Sequence, residues 1–146
     1  MPSSPRTIYL ATALLISPAK SILLVRKHGT RFFMQPGGKR ETGETPEQTL
    51  ERELQEELSL TVSVSAQNHI GRFLAPAANE PDHIIEAELF QLPIQTEMAS
   101  PAAEIEQIIW INPFNLPDDL PLAPFTKDTV IPLEHNPISL VHIQRR

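Results

Sequence analysis

Residues 45–60, TPEQTLERELQEELSL, constrain this chain more than any other stretch. Thr45 is suited to cap a helix, Pro46 to occupy its first turn, and Gln48 to complete a capping box, so a helix is expected over Pro46–Leu58. At about 100° per residue, Leu50, Leu54 and Leu58 fall on one apolar stripe. Buried against a second layer, each leucine contributes on the order of 1.5–3 kcal/mol. Glu53, Glu56 and Glu57 form a second stripe directly beside the first, while Gln48, Glu51 and Gln55 take the remaining, solvent side. Like charges at helical spacing repel by a few tenths of a kcal/mol per pair, and desolvation at the edge of a core raises that cost. Folding does not require three carboxylates at this border, so a cation is expected to offset them.

The rest of the chain supplies the second layer. The apolar runs IYLATALLI (residues 8–16) and SILLVRK (residues 21–27) flank Pro18, Ala19 and Lys20, and read as strand, turn, strand. The first run follows Arg6 and superficially resembles a signal-peptide core. It is far too short to span a bilayer, and the second run favours a strand pair. Residues 28–44 read as a polar, glycine-rich loop. Further strands are expected at TVSVS (61–65), HIGRFLA (69–75), HIIEAELFQL (83–92) and EIEQIIWI (104–111). From Pro113 onward prolines favour loops, except for a short helix within residues 126–134 that Pro132 opposes. Strands before, between and after a few helices imply an α/β layered fold with a mixed sheet. Residues 1–146 read as a single domain, without repeats.

Composition narrows the chemistry. A net charge of −6 argues against a nonspecific nucleic-acid or membrane-surface binder, both of which use basic patches. The absence of cysteine removes disulfides, a thiol nucleophile and a zinc–thiolate site, and fits a reducing cytoplasmic compartment. Arg52 alone does not balance three anions; a divalent cation does, and clustered carboxylate oxygens suit Mg²⁺ or Mn²⁺, which share their shell with substrate phosphates. Arg26, Lys27, Arg31, Lys39 and Arg40 are five of the twelve basic residues, and no acidic residue interrupts them. Gly37 and Gly38 permit close backbone approach to a ligand. A basic loop beside an acidic helix is the arrangement expected where metal and phosphate meet, with Arg26, Arg31 and Lys39 as phosphate contacts.

These residues resemble the Nudix box, G-x5-E-x7-R-E-U-x-E-E-x-G-U, where U is aliphatic. Here Gly38 is followed by five residues and Glu44, and seven more lead to Arg52, Glu53, Leu54, Gln55, Glu56 and Glu57. Ser59 stands where the family has glycine, and Leu60 closes the box. The resemblance to the Nudix family, and within it to MutT-like enzymes, implies an α/β/α sandwich and hydrolysis of a nucleoside diphosphate linked to a further group X. It implies that Glu53, Glu56, Glu57 and the Gly37 carbonyl bind Mg²⁺ or Mn²⁺. It also implies that Glu44 pairs with Arg52, and that a catalytic base is supplied by Glu53 or, from a later loop, by Glu104, with Glu106 as its neighbour.

X is less constrained. A nucleoside triphosphate pyrophosphohydrolase is the first reading, and an ADP-ribose or nucleotide-sugar pyrophosphatase is the alternative. ADP-ribose-cleaving members of the family the chain resembles often carry a proline about sixteen positions past the box, and Pro76 is sixteen past Leu60. A non-catalytic nucleotide-binding module is the third reading, against which the intact Glu53, Glu56 and Glu57 argue. In every case the expected partner is a small nucleotide. Asn112, Asn115 and Asp119 are candidate base readers. Trp110 and Phe32, Phe33, Phe73 and Phe125 are expected to be structural, and His28, His69, His83, His135 and His142 carry no assigned role.

Overall fold

A computed structural model describes residues 6–134 of the chain; His135 and His142 lie outside the described residues. The strands are β1 (Arg6–Ile16), β2 (Ile22–Lys27), β3 (Gly37–Lys39), β4 (His69–Pro76), β5 (His83–Pro93) and β6 (Ile105–Ile111). The helices are α1 (Pro46–Leu58) and the short α2 (Ile131–Glu134). Together they form one mixed sheet of order β4-β5-β1-β2-β6, with β3 paired to β1 off this path. The apolar run beside Arg6 is thus the central strand. β1 runs parallel to β5 from Arg6↔His83 to Ile16↔Pro93, and its other edge takes β3 at Leu10, Ala11 and Thr12 and β2 at Ile16.

Both faces of β1 are covered, which explains why its second half is buried without alternation. Ala11, Ala13 and Leu15 pack towards Leu50, Leu54 and Leu58 of α1. Leu14, with Ile22 and Leu24, packs towards Phe125, Val130 and Ile131 on the other side. The expected three-layer α/β/α arrangement with a mixed sheet is what the chain adopts. Among the described residues, no helix is long and apolar enough to cross a membrane.

The local signals for α1 hold to the residue. Thr45 accepts from the Gln48 amide and Gln48 reciprocates. The helix ends with Ser59 left-handed (φ 53°, ψ 34°), the conformation that glycine takes at this position most easily. The expected C-terminal helix is interrupted. Thr126–Val130 forms a wide π-type turn, with the Ile131 amide bonding the Thr126 carbonyl. Pro132, just beyond it, has no amide to give the Asp128 carbonyl, and the chain widens there rather than ending.

Two expectations fail. Residues 61–65 are not a strand. Val64 is buried, and its amide donates to Glu51 Oε2 (2.8 Å) rather than to a neighbouring strand. Glu51 is therefore not a free solvent-side residue; it ties α1 to this crossing segment. The loop of residues 28–44 contains β3, which composition alone hides because its three residues are Gly37, Gly38 and Lys39.

Candidate active site

The site starts from two glycines. Gly37 (φ 142°) lies so close to β1 that a Cβ on it would overlap the Ala11 carbonyl and the Thr12 backbone. A Cβ on Gly38 would overlap the Glu53 carboxylate. Their openness therefore serves the protein's own packing: it lets α1 set Glu53 against β3.

Arg52 organises the helix's outer edge. Its Nε and Nη2 donate to Glu44 Oε2 (2.7 Å) and Oε1 (3.0 Å), Nη2 also to the Lys39 carbonyl (3.1 Å), and Nη1 to Glu53 Oε1 (2.9 Å). Glu56 Oε2 lies 3.6 Å from the same Nη1. Glu44 Oε1 further accepts from Thr49 Oγ1 (2.8 Å) and the Glu41 amide (3.0 Å). The Arg52 hydrogen bond, aided by the Glu41 amide, holds the Glu44 carboxyl down at about 2, and Glu44 in turn raises the Arg52 guanidinium above its ordinary value. Glu44 was expected among the catalytic groups. It lies outside the cleft lining, as does Glu57, and its contacts with the lining are through Arg52 and the Glu41 amide.

Glu57 is the most unusual carboxylate. It is 2% exposed; its Oε1 accepts from the Gly37 amide (3.1 Å) and its Oε2 has no hydrogen-bond partner. Burial pushes it up to about 8, against the partial relief of the Gly37 amide. Burial also raises Glu53, opposed by Arg52. The Gly37 group with a visible role is thus its amide. Among the described residues, no three histidine or acidic side chains converge as a preformed metal shell. The donor set still fits a hard divalent cation: a buried carboxylate oxygen without a partner, beside a second carboxylate whose proton affinity burial has raised.

A cleft of about 510 Å³ opens over this edge, a volume suited to a small-molecule ligand. Arg52, Glu53 and Glu56 line it, and so does Glu104, brought from just before β6. Ala103 turns left-handed there (φ 52°), the Glu104 carbonyl accepts from the His28 amide (2.9 Å), and its carboxylate lies 3.4 Å from Lys27 Nζ. Glu106 does not line the cleft; it pairs with Arg26 (3.0 Å).

The basic residues divide differently from expectation. Arg26 is held by Glu106, by Gln107 (3.2 Å) and by the Thr30 carbonyl (3.1 Å), with its guanidinium over the Phe33 ring. Arg31 lies over Phe32. Neither lines the cleft. Lys39 does, paired with Glu80 across the mouth (3.6 Å), and so does Lys27, which sequence reasoning passed over. The signal was available, since neighbouring residues at a strand end point to opposite faces, so Arg26 and Lys27 cannot both reach one site.

Asn112, Asn115 and Asp119 are exposed and outside the cleft, and Asn112 is spent on a turn with the Phe114 amide (2.9 Å). The cleft's uncharged polar side chains are Thr12, Gln35, Asn79 and Thr126, beside Phe125 and Pro76. Only the fold assembles them. Trp110 is half-buried against the α1-side core, as expected of a structural residue.

A family model described as the NUDIX domain matches residues 8–132. Among solved structures, the chain is similar to the MutT protein from Methanosarcina mazei Go1, at 18% identity and a TM-score of 0.64, covering 77% of this chain and 82% of that one. It is similar to a UDP-X diphosphatase at 18% identity and a TM-score of 0.67, covering 99% of this chain and 65% of that one. It is also similar to a bifunctional NMN adenylyltransferase/ADP ribose pyrophosphatase from Francisella tularensis, complexed with AMP and a Mn ion. That match has 18% identity and a TM-score of 0.63, and covers 92% of this chain and 43% of the other. At these identities the likeness is one of fold. A search of curated proteins found no match.

Proposed function

The chain belongs to the Nudix hydrolase family, and from that premise we propose that it is a MutT-like pyrophosphohydrolase that cleaves nucleoside triphosphates to a nucleoside monophosphate and pyrophosphate. Family members act on small nucleotides and use divalent metals. The observation that carries the reading is the uncompensated acidity of the α1 edge: Glu57 Oε2 is buried without a partner, and burial raises both Glu57 and Glu53. Glu53, Glu56 and Glu57 would hold Mg²⁺ or Mn²⁺. When bound, the cation neutralises non-bridging phosphate oxygens and lowers the proton affinity of water.

The chain's own groups have distinct tasks in this reading. Arg52, gripped by Glu44, fixes Glu53 against β3. Lys27 and Lys39 offer positive charge to the phosphates from the cleft wall. Glu53 is the base: it takes a proton from water as the water oxygen bonds to phosphorus. The bridging P–O bond breaks with its electron pair staying on the departing phosphate, and the proton passes from Glu53 to solvent. Glu104 lines the same cleft and is the competing base.

Pro76 ends β4 in the lining of this cleft, which favours a second reading, hydrolysis of ADP-ribose or a nucleotide sugar, by the same chemistry. A panel of triphosphates, ADP-ribose and nucleotide sugars, with Mg²⁺ or Mn²⁺ and product analysis, separates the readings. Pyrophosphate from triphosphates supports the first, and AMP from ADP-ribose the second. Full turnover in excess chelator would sink the metal-assisted reading.

A further inference from the structure

Gln35 is 5% exposed and lines the cleft. Its Oε1 accepts a buried hydrogen bond from Thr126 Oγ1 (2.9 Å), and its Nε2 has no partner. Thr12, also 5% exposed and in the same lining, has an unpartnered Oγ1. Buried polar groups without partners are costly and rare, so two in one cavity call for an explanation. Neither belongs to the acidic edge: Thr12 is on β1 and Gln35 precedes β3. The lining of this cleft also holds the apolar Leu10, Met34, Ile85 and Phe125, together with Asn79 and the charged groups of the acidic edge and the lysines. Apolar walls with a few fixed hydrogen-bonding groups suit a planar heterocycle with a polar edge.

We infer that Gln35 is the specificity-determining residue for the base, its amide N–H groups donating to a carbonyl oxygen on the base edge. The inference rests on the nucleotide-hydrolase reading above. With the Thr126 hydroxyl on the amide oxygen, the end of Gln35 left over is the donor end. Bases carrying an oxo group at the position where others carry an amine (guanine against adenine, uracil or thymine against cytosine) satisfy it, whereas an amine places donor against donor. Thr126 is the first residue of the π-type turn before Pro132.

The test compares wild type, Gln35→Glu, Gln35→Leu and Thr126→Val on GTP, ITP, UTP, ATP and CTP, reading the kcat/KM ratio of oxo to amino bases. Binding of GMP and AMP by calorimetry gives a second readout that needs no turnover. Thermal denaturation checks folding, and Gln35→Glu, isosteric with the native side chain, keeps the test valid if the leucine variant fails to fold. Wild type should favour oxo bases by about ten-fold or more, the worth of one well-placed hydrogen bond. Gln35→Leu and Thr126→Val should narrow the ratio, and Gln35→Glu, which presents an acceptor, should invert it. A ratio unchanged in folded Gln35→Glu and Gln35→Leu overturns the inference while leaving the hydrolase reading intact. If wild type hydrolyses no nucleotide but GMP and AMP binding still depends on Gln35, the hydrolase reading falls and the base-reading role stands.

Discussion

The Gly37 amide donates to Glu57 Oε1 at 3.1 Å and leaves Oε2 buried without a partner. One backbone donor half-solvates a carboxylate that the fold has taken out of water, and the other oxygen is left without a donor. The pH behaviour follows. Glu57 rises from an ordinary 4.5 to about 8 in the folded chain. The unfolded chain therefore ionises first, and the favourable protonated form is lost to the folded state as pH climbs. In chelator, stability should fall between about pH 4.5 and 8, by on the order of 4 kcal/mol. Saturating Mg²⁺ or Mn²⁺ should restore it most at the alkaline end, and Glu57→Gln should flatten the chelator curve. Urea titrations across this range check it; a flat curve for the metal-free wild type would refute it.

Glu44 gives the opposite limb. Its carboxyl lies near 2 in the folded chain, so its pairing with Arg52 is fully present above about 4.5 and is lost as pH drops towards 2. Glu44→Gln should shrink this acid loss. Because Arg52 then loosens its hold on Glu53, it should also lower kcat at pH 8, where the wild-type pairing is fully present. Acid denaturation and steady-state kinetics on one preparation read both effects.

Neutralising the acidic stripe should harm turnover far more than folding. Glu53→Gln is expected to lower kcat by about 10²-fold or more while leaving metal-free stability unchanged or slightly raised, since a like-charge pair costs only tenths of a kcal/mol. Glu104→Gln is the comparison at saturating Mg²⁺; a larger loss there moves the base to the later loop. Retention of near-full activity by both Glu53→Gln and Glu57→Gln would end the metal-site reading.

Glu51, on the same helix, should behave in the opposite way. Because it accepts from the Val64 amide, Glu51→Ala should cost about 1–3 kcal/mol by leaving that amide unpaired. Catalysis by the folded fraction should be untouched. Glu51→Gln, which keeps an acceptor, should cost less. Denaturant midpoints paired with kcat distinguish this anchoring role from a catalytic one.

Ser59→Gly should be neutral or stabilising by up to about 1 kcal/mol, since φ 53° strains any residue with a Cβ. A clear loss in denaturant titration would mean that the serine side chain supports the helix end in another way.

What the sequence determined by itself is what depends on neighbours along the chain. The cap at Thr45, the leucine stripe and the acidic stripe beside it are all set within a turn or two of helix, and the acidic stripe with Arg52 carries much of the family resemblance; the left-handed stop at Ser59 is seen only in the structure. The first strand was legible from its apolar run and the second run after it; that it lies at the centre of the sheet was not. What only the tertiary structure decided depends on partners far away in sequence. Residues 61–65 have strand-like alternation but meet no sheet edge, so Glu51 takes the hydrogen bond a strand would have taken. Arg26 and Lys27 look interchangeable in sequence, until the register of β2 against β6 turns one to Glu106 and the other to the cleft. Gln35 and Thr126, ninety-one positions apart, acquire meaning only when the sheet and the widened C-terminal turn bring them to 2.9 Å. Local geometry repeats every few residues and can be read off a string of letters. The desolvation that raises Glu57 and leaves Gln35 short of a partner exists only once the layers have closed.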